Sequence, residues 1–198
     1  HLENVNNYRN LKLHGNFYEE SVFTYHHGLI YLPKDILNSL ENKDFIDCGA
    51  YIGDSALILE TFFKPRSIHS FEPNNESFNL LLNTIESNNL RKVTAINNGV
   101  GNKKQELNFF PIAGASRVTN EDTDYKVEVI PIDEYVFKNN LDVGLIKMDV
   151  EGFEIEALEG ARETIKKYKP VLCLAIYHHV DEFIKSIKFI QNLEMDYN

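Results

Sequence analysis

The feature of this sequence that most narrows its fold is the alternation of apolar strand-like runs with helical periodicity. Runs at 45–48, 67–71, 93–96, 143–148 and 171–177 are apolar along most of their length. Between them, Phe78, Leu81, Leu82 and Ile85 recur at helical spacing, as do Ile155, Leu158, Ala161 and Ile165. Helices are expected over 54–62, 73–88, 154–168 and 180–193. Strands separated by helices pair in parallel, and strands apolar throughout are covered on both faces. The expectation is an α/β fold with a doubly wound, mostly parallel sheet. Runs 105–110 and 126–130 read as extra strands within an excursion. Residues 1–20 are polar and Asn-rich and are expected to be helical or irregular. Residues 22–32 read as a hairpin with Gly28 in its turn, followed by a short helix near 36–40. This divides the chain into an N-terminal helix/hairpin extension, 1–40, and a single compact domain, 41–198.

Composition excludes several classes of function. The net charge is −10, and the basic runs, Arg91-Lys92, Lys103-Lys104 and Lys166-Lys167-Lys169, are short and interrupted, which disfavours a nucleic-acid substrate. No stretch approaches the ~20 apolar residues of a membrane span. Cys48 and Cys173 sit inside apolar runs and read as buried thiols. A reducing, cytoplasmic setting is expected, and no secretory-type run opens the sequence.

In a doubly wound sheet the ligand lies beyond the carboxyl ends of the strands, where strand order reverses. The first strand runs into Asp47-Cys48-Gly49-Ala50-Tyr51-Ile52-Gly53-Asp54-Ser55. Gly49 and Gly53 let the backbone turn sharply and approach a ligand, and Gly53-Asp54-Ser55 opens a helix whose free N–H groups favour an anionic group. Asp47, just ahead of the turn, suits a ligand with an amino group. Neither the Gly-x-Gly-x-x-Gly dinucleotide fingerprint nor a phosphate-binding Gly-Lys-Ser/Thr is present. Glu72 ends the second strand, 19 positions after Gly53, where a carboxylate can accept both hydroxyls of a ribose. The alternative is a helix cap. Asn97 and Asn98 follow the third strand and can address an adenine edge or simply make a turn. Lys147 and Asp149 share a face at the end of the fourth strand, and Glu151 follows in the loop. They can position a hydroxyl or take a proton, or form a structural ion pair and a cap. His178, after the fifth strand, is a candidate base, while His14, His26, His27 and His69 have no such convergence. No metal-ligand spacing demands a metal, so none is assigned.

At these residues the chain resembles the FkbM-type family of S-adenosylmethionine-dependent methyltransferases. The matching segments are 45–55, Ser70-Phe71-Glu72-Pro73, 146–154, Ala157-Leu158-Glu159-Gly160-Ala161 and Ile176-Tyr177-His178. The resemblance implies a class I methyltransferase (Rossmann-like) fold and methylation, usually of oxygen, on sugars, polysaccharides or small secondary metabolites. It implies that S-adenosylmethionine is held around Asp47, Gly49, Ala50, Tyr51, Gly53, Asp54, Ser55, Glu72, Asn97, Asn98 and Asp149. Lys147, Asp149, Glu151 and His178 then face the methyl group. The family's last two strands are expected to be missing after 193–198. The acceptor is expected to be a small molecule or glycan. The rival expectations are a nicotinamide-dependent oxidoreductase and a non-catalytic cofactor-binding module.

Overall fold

The computed structural model describes residues 5–8, 11–14, 18–110, 117–118, 123, 125–177 and 181–195. Its main sheet has five strands, β3 (Asp44–Cys48), β4 (Ser67–Phe71), β5 (Val93–Ile96), β10 (Val143–Met148) and β11 (Val171–Leu174), in the order β11-β10-β3-β4-β5. All four pairings are parallel. Strand order therefore reverses between β3 and β10, and that is where a doubly wound sheet opens a crevice.

Alternate residues of each strand serve opposite layers. Phe45, Ile68 and Leu145 pack with Leu59 of α3 (Asp54–Phe63) and with Leu29 and Leu40. Ile46, Cys48, Phe71, Ile146 and Met148 face the other way. There they meet α5 (Ile132–Lys138), α6 (Glu154–Gly160), α7 (Arg162–Tyr168) and α8 (Glu182–Gln191). The expected doubly wound architecture is thus present. A further helix, α4 (Asn75–Asn88), is capped by Asn74, whose Oδ1 accepts the Glu76 and Ser77 amides at 2.9 and 3.1 Å.

The extra strands of the excursion belong to a second sheet. β7 (Gln105–Phe110) pairs antiparallel with β9 (Lys126–Ile130), and β9 pairs parallel with β6 (Gly99–Val100). A two-residue strand, β8 (Arg117–Val118), flanks β7. Phe109, Val127 and Val129 form its buried face.

The N-terminal expectations are corrected. The hairpin lies in 1–20, as β1 (Val5–Tyr8) and β2 (Leu11–His14), not in 22–32. Residues 22–32 instead contain the end of α1 (Glu20–Phe23) and a 3-10 segment, His26–Tyr31, and the short helix follows as α2 (Lys34–Ser39). His26, His27 and Gly28 all have positive φ, at 46°, 54° and 81°, which folds the chain back on itself rather than joining two paired strands. Leu13, Val22 and Phe23 bury against Ile52, Leu57 and Ile58. The helix expected over 154–168 is broken at Ala161 (φ −108°, ψ 4°). A Cβ on Gly160 would come within 1.9 Å of the Gly101 carbonyl oxygen, so α6 ends in close backbone contact with the residue that follows β6.

Candidate functional site

The turn after β3 is fixed from three sides. The Gly49 and Ala50 amides both donate to the Phe71 carbonyl, at 3.0 and 2.9 Å. Gly49 has φ 75°, and a Cβ there would lie 1.8 Å from the Asp149 carbonyl oxygen, so only glycine permits β3 and β10 to part so closely. Gly53 (φ 87°) precedes α3, where a Cβ would meet Leu81 at 2.8 Å. Between them Tyr51 adopts φ 47° and donates its amide to Glu72 Oε2 at 2.8 Å. Glu72 Oε1 accepts the Asn74 amide, also at 2.8 Å. Burial pushes the Glu72 carboxyl up to about 7, against the opposing pull of these two amides and of Lys147.

Lys147 is buried and its ammonium is fully engaged. It donates to the Gly49 carbonyl at 2.7 Å and the Cys48 carbonyl at 3.4 Å, and lies 3.3 Å from Asp47 Oδ1. Asp47 is completely buried and accepts the Ser70 hydroxyl at 3.0 Å. Burial opposes the lysine charge, but Asp47, Asp149 and Asp54 outweigh it and hold the ammonium above the usual lysine range. Lys147 therefore arrives charged and committed to the turn's carbonyls. Burial also pushes the Asp54 carboxyl up to about 6.

Beyond these strand ends lies a cavity of about 480 Å³, within the roughly 300–1,000 Å³ typical of ligand sites. Gly49, Tyr51, Asp54, Ser55 and Glu72 border it, and so do Asn98, Lys147, Asp149 and Glu151. The glycine turn and the Glu72 carboxylate thus face one hollow. Asp47, Ala50 and Gly53 stand behind the wall: Asp47 holds Lys147, Ala50 is buried, and Gly53 opens α3. Asn97 is turned to backbone, its Nδ2 donating to the Glu72 and Pro73 carbonyls at 2.9 and 3.4 Å. His178 lies outside the described residues.

Several lining residues had no local signal in the sequence. Glu19, Val22 and His27 come from the N-terminal segment, and Phe109, Val127 and Val129 from the second sheet. Tyr177, beside His178 in a motif already singled out, donates its hydroxyl to Asp149 Oδ2 at 2.9 Å. Burial and then Asp149 raise the Tyr177 phenol above its usual range, so it remains a donor. The loop 149–152 is shaped by positive φ at Glu151 (55°) and Gly152 (92°). It is anchored by the Val150 amide, which donates to Glu154 at 3.0 Å. Among the described residues no group of three His, Cys, Asp or Glu is placed to hold a metal ion.

The site therefore combines a carboxylate suited to a diol, a polar end rich in carboxylates and an apolar wall from a second sheet. The family model described as the Methyltransferase FkbM domain matches residues 47–197. The crystal structure of methyltransferase FkbM from Methylobacillus flagellatus KT is similar at TM-score 0.64 and 25% identity, over 79% of this chain and 39% of that one. Precorrin-6y C5,15-methyltransferase from Geobacter metallireducens GS-15 follows at TM-score 0.50 and 14% identity, covering 81% of this chain and 69% of its own. Precorrin 8w decarboxylase from Methanobacterium thermoautotrophicum reaches TM-score 0.53 at 16% identity, over 93% and 76%. The last two share the fold alone. This chain spans well under half of the Methylobacillus protein's length, 39%. No curated protein sequence matches it.

Proposed function

Because the chain belongs to the FkbM methyltransferase family and has a class I methyltransferase fold, we propose that it binds S-adenosylmethionine in this cavity and methylates a hydroxyl of a sugar, polysaccharide or small metabolite. The observation that carries the proposal is that the Gly49–Gly53 turn and the Glu72 carboxylate border one hollow, linked by the Tyr51 amide. The residues fit the group. Each Glu72 oxygen takes one backbone amide and retains a lone pair for a ribose hydroxyl. Asn98, Pro73 and Val129 border the cavity near that carboxylate's end and suit a flat base. Asp54 and Asp149 supply negative charge for a cationic donor. When bound, the donor supplies an activated methyl group on a sulfonium centre.

The protein's task is then alignment, water exclusion and proton removal. Asp149, with its Oδ2 already receiving the Tyr177 hydroxyl, is proposed to orient the acceptor hydroxyl and take its proton. His178 is proposed as the alternative base, and Glu151 as a second carboxylate toward the acceptor. Lys147 is proposed to act by holding the Gly49 carbonyl and offsetting the charge of Asp47 and Asp149. Val127, Val129 and Phe109 keep water from the cavity's apolar side. The extension, 1–40, is proposed to work with the domain 41–198, since Glu19, Val22 and His27 complete the wall. The charge of −10 favours a small or glycan acceptor over nucleic acid. No helix among the described residues is long and apolar enough to cross a membrane. Free thiols at Cys48 and Cys173 fit a reducing, cytoplasmic setting.

Calorimetry with S-adenosylmethionine and with NAD, followed by transfer of labelled methyl to a panel of hydroxyl acceptors, tests the proposal. Binding of the sulfonium donor alone and label in an acceptor ether are expected. Tight binding of NAD instead overturns the donor assignment, and donor binding without transfer to any acceptor overturns catalysis in favour of a binding module.

A further inference from the structure

His27 is buried in the cavity wall although nothing in its own neighbourhood of the sequence points there. Its backbone lies in the left-handed region at φ 54°, a conformation that costs free energy in a residue of this shape. The ring is hydrogen-bonded through Nε2 to Ser55 Oγ at 2.9 Å, across 28 positions of sequence. Its own carbonyl accepts the Cys173 thiol at 3.5 Å, which seats it over β11, while Lys147, Asp47, Asp149 and His26 are the charged or titratable groups that face the ring. Burial first, and Lys147 second, drive the imidazole down to about 4, so it is a neutral hydrogen-bonding group at physiological pH.

The position matters because the cavity crosses the sheet. Glu72 stands past β4, on one side of β3, and His27 is bonded to β11, on the other. A ligand whose ribose meets Glu72 therefore directs its other end toward His27. At that end the imidazole and the Ser55 hydroxyl, two neutral groups, line the cavity together with Asp54, whose carboxylate accepts the Ser55 amide, and the Lys147 ammonium acts on the imidazole. Asp54 is 8% exposed, and its only hydrogen bond among the described residues is to the adjacent Ser55 amide, at 2.8 Å. Neutral donors set among carboxylates and the Lys147 ammonium match a zwitterion: the carboxylate side for an ammonium, the donors for a carboxylate.

We infer that His27, acting with Ser55, binds the carboxylate of the amino-acid portion of the methyl donor, so that the segment ahead of the sheet recognises the full donor rather than its nucleoside alone. The role rests on the donor assignment proposed above and adds a specificity residue to it. Two probes separate the ends of the ligand: S-adenosylhomocysteine, which carries the amino-acid portion, and 5′-methylthioadenosine, which lacks it.

The test is calorimetry of both probes on the full chain, with His27→Ala, His27→Asn and Glu72→Gln, alongside thermal unfolding of each ligand-free variant. His27→Ala is expected to weaken S-adenosylhomocysteine about tenfold and to leave 5′-methylthioadenosine unchanged. Asn tolerates φ near +54° and keeps an N–H donor, so His27→Asn should recover most of the loss. Glu72→Gln should weaken both probes. Equal loss of both probes in the two His27 variants, or loss of neither, overturns the role of His27 while the donor assignment stands. A wild-type chain that binds neither probe overturns both.

Discussion

The Glu72 carboxylate accepts the Tyr51 amide at 2.8 Å, and this one bond ties the end of β4 to the glycine turn that follows β3. A buried acid in that position couples ligand affinity to pH. Its folded value, about 7, lies above the ordinary 4.5, so the folded protein binds more protons than the unfolded chain between those limits. Stability should accordingly fall as pH rises from about 4.5 to 7 and level off above, as far as this group is concerned. Donor binding runs the other way, because only the carboxylate accepts two ribose hydroxyls. The affinity for S-adenosylhomocysteine should rise between pH 6 and 8 on calorimetry, and Glu72→Gln should flatten the part of that profile centred near 7. An unchanged profile in the variant would remove Glu72 from the nucleoside site.

Gly49→Ala should be among the most damaging single substitutions in the chain. The new methyl group would sit 1.8 Å from a backbone oxygen of Asp149, at a φ of 75° that alanine disfavours. Strain and clash together are expected to cost at least about 3 kcal/mol in urea unfolding. A midpoint close to wild type would mean that β3 and β10 separate more easily than their packing implies.

Lys147→Met should act first on the fold. It leaves Asp47 buried without its ion-pair partner and two carbonyls without their donor. Loss of one partner of such a buried pair costs about 3–5 kcal/mol. Denaturant unfolding measures it, and a shift under 1 kcal/mol would restore Lys147 as a candidate for direct chemistry.

Asp149→Asn and Tyr177→Phe should separate proton removal from orientation. The first removes the proposed proton acceptor and should lower kcat by roughly 10²–10⁴. The second removes only the hydroxyl that donates to Asp149 at 2.9 Å and should lower kcat less than about tenfold. Equal effects in steady-state assays would assign the proton to another group, His178 being the next to test.

Much of the site could be read in the sequence because a parallel sheet delivers strand ends to one edge. Gly49, Glu72 and Asp149 each follow an apolar run, and all three border the cavity. What escaped depends on contacts between distant residues. His27 reaches the cavity through three successive positive φ angles, and two of those residues are histidines, which carry no strong turn signal. The strands β1 and β2 were hidden because they lie in a polar, Asn-rich stretch, and β2 bonds to α4 through Lys12 and Asn88 rather than through a long apolar face. The break between α6 and α7 falls where Gly160 meets the Gly101 backbone at the end of β6. Helical spacing alone continues through Ala161. The excursion showed its strands but not their destination, since Val127 and Val129 look alike whether they face another strand or a ligand.

Because Phe109, Val127 and Val129 belong to an insertion and Glu72, Lys147 and Asp149 to the main sheet, two separately encoded parts meet at the hollow. Trading one apolar side chain of the insertion for a larger or smaller one would widen or narrow the chamber while the ion pairs at the strand ends stayed as they are. The fold can thereby vary the outline of what it admits independently of the groups that act on it.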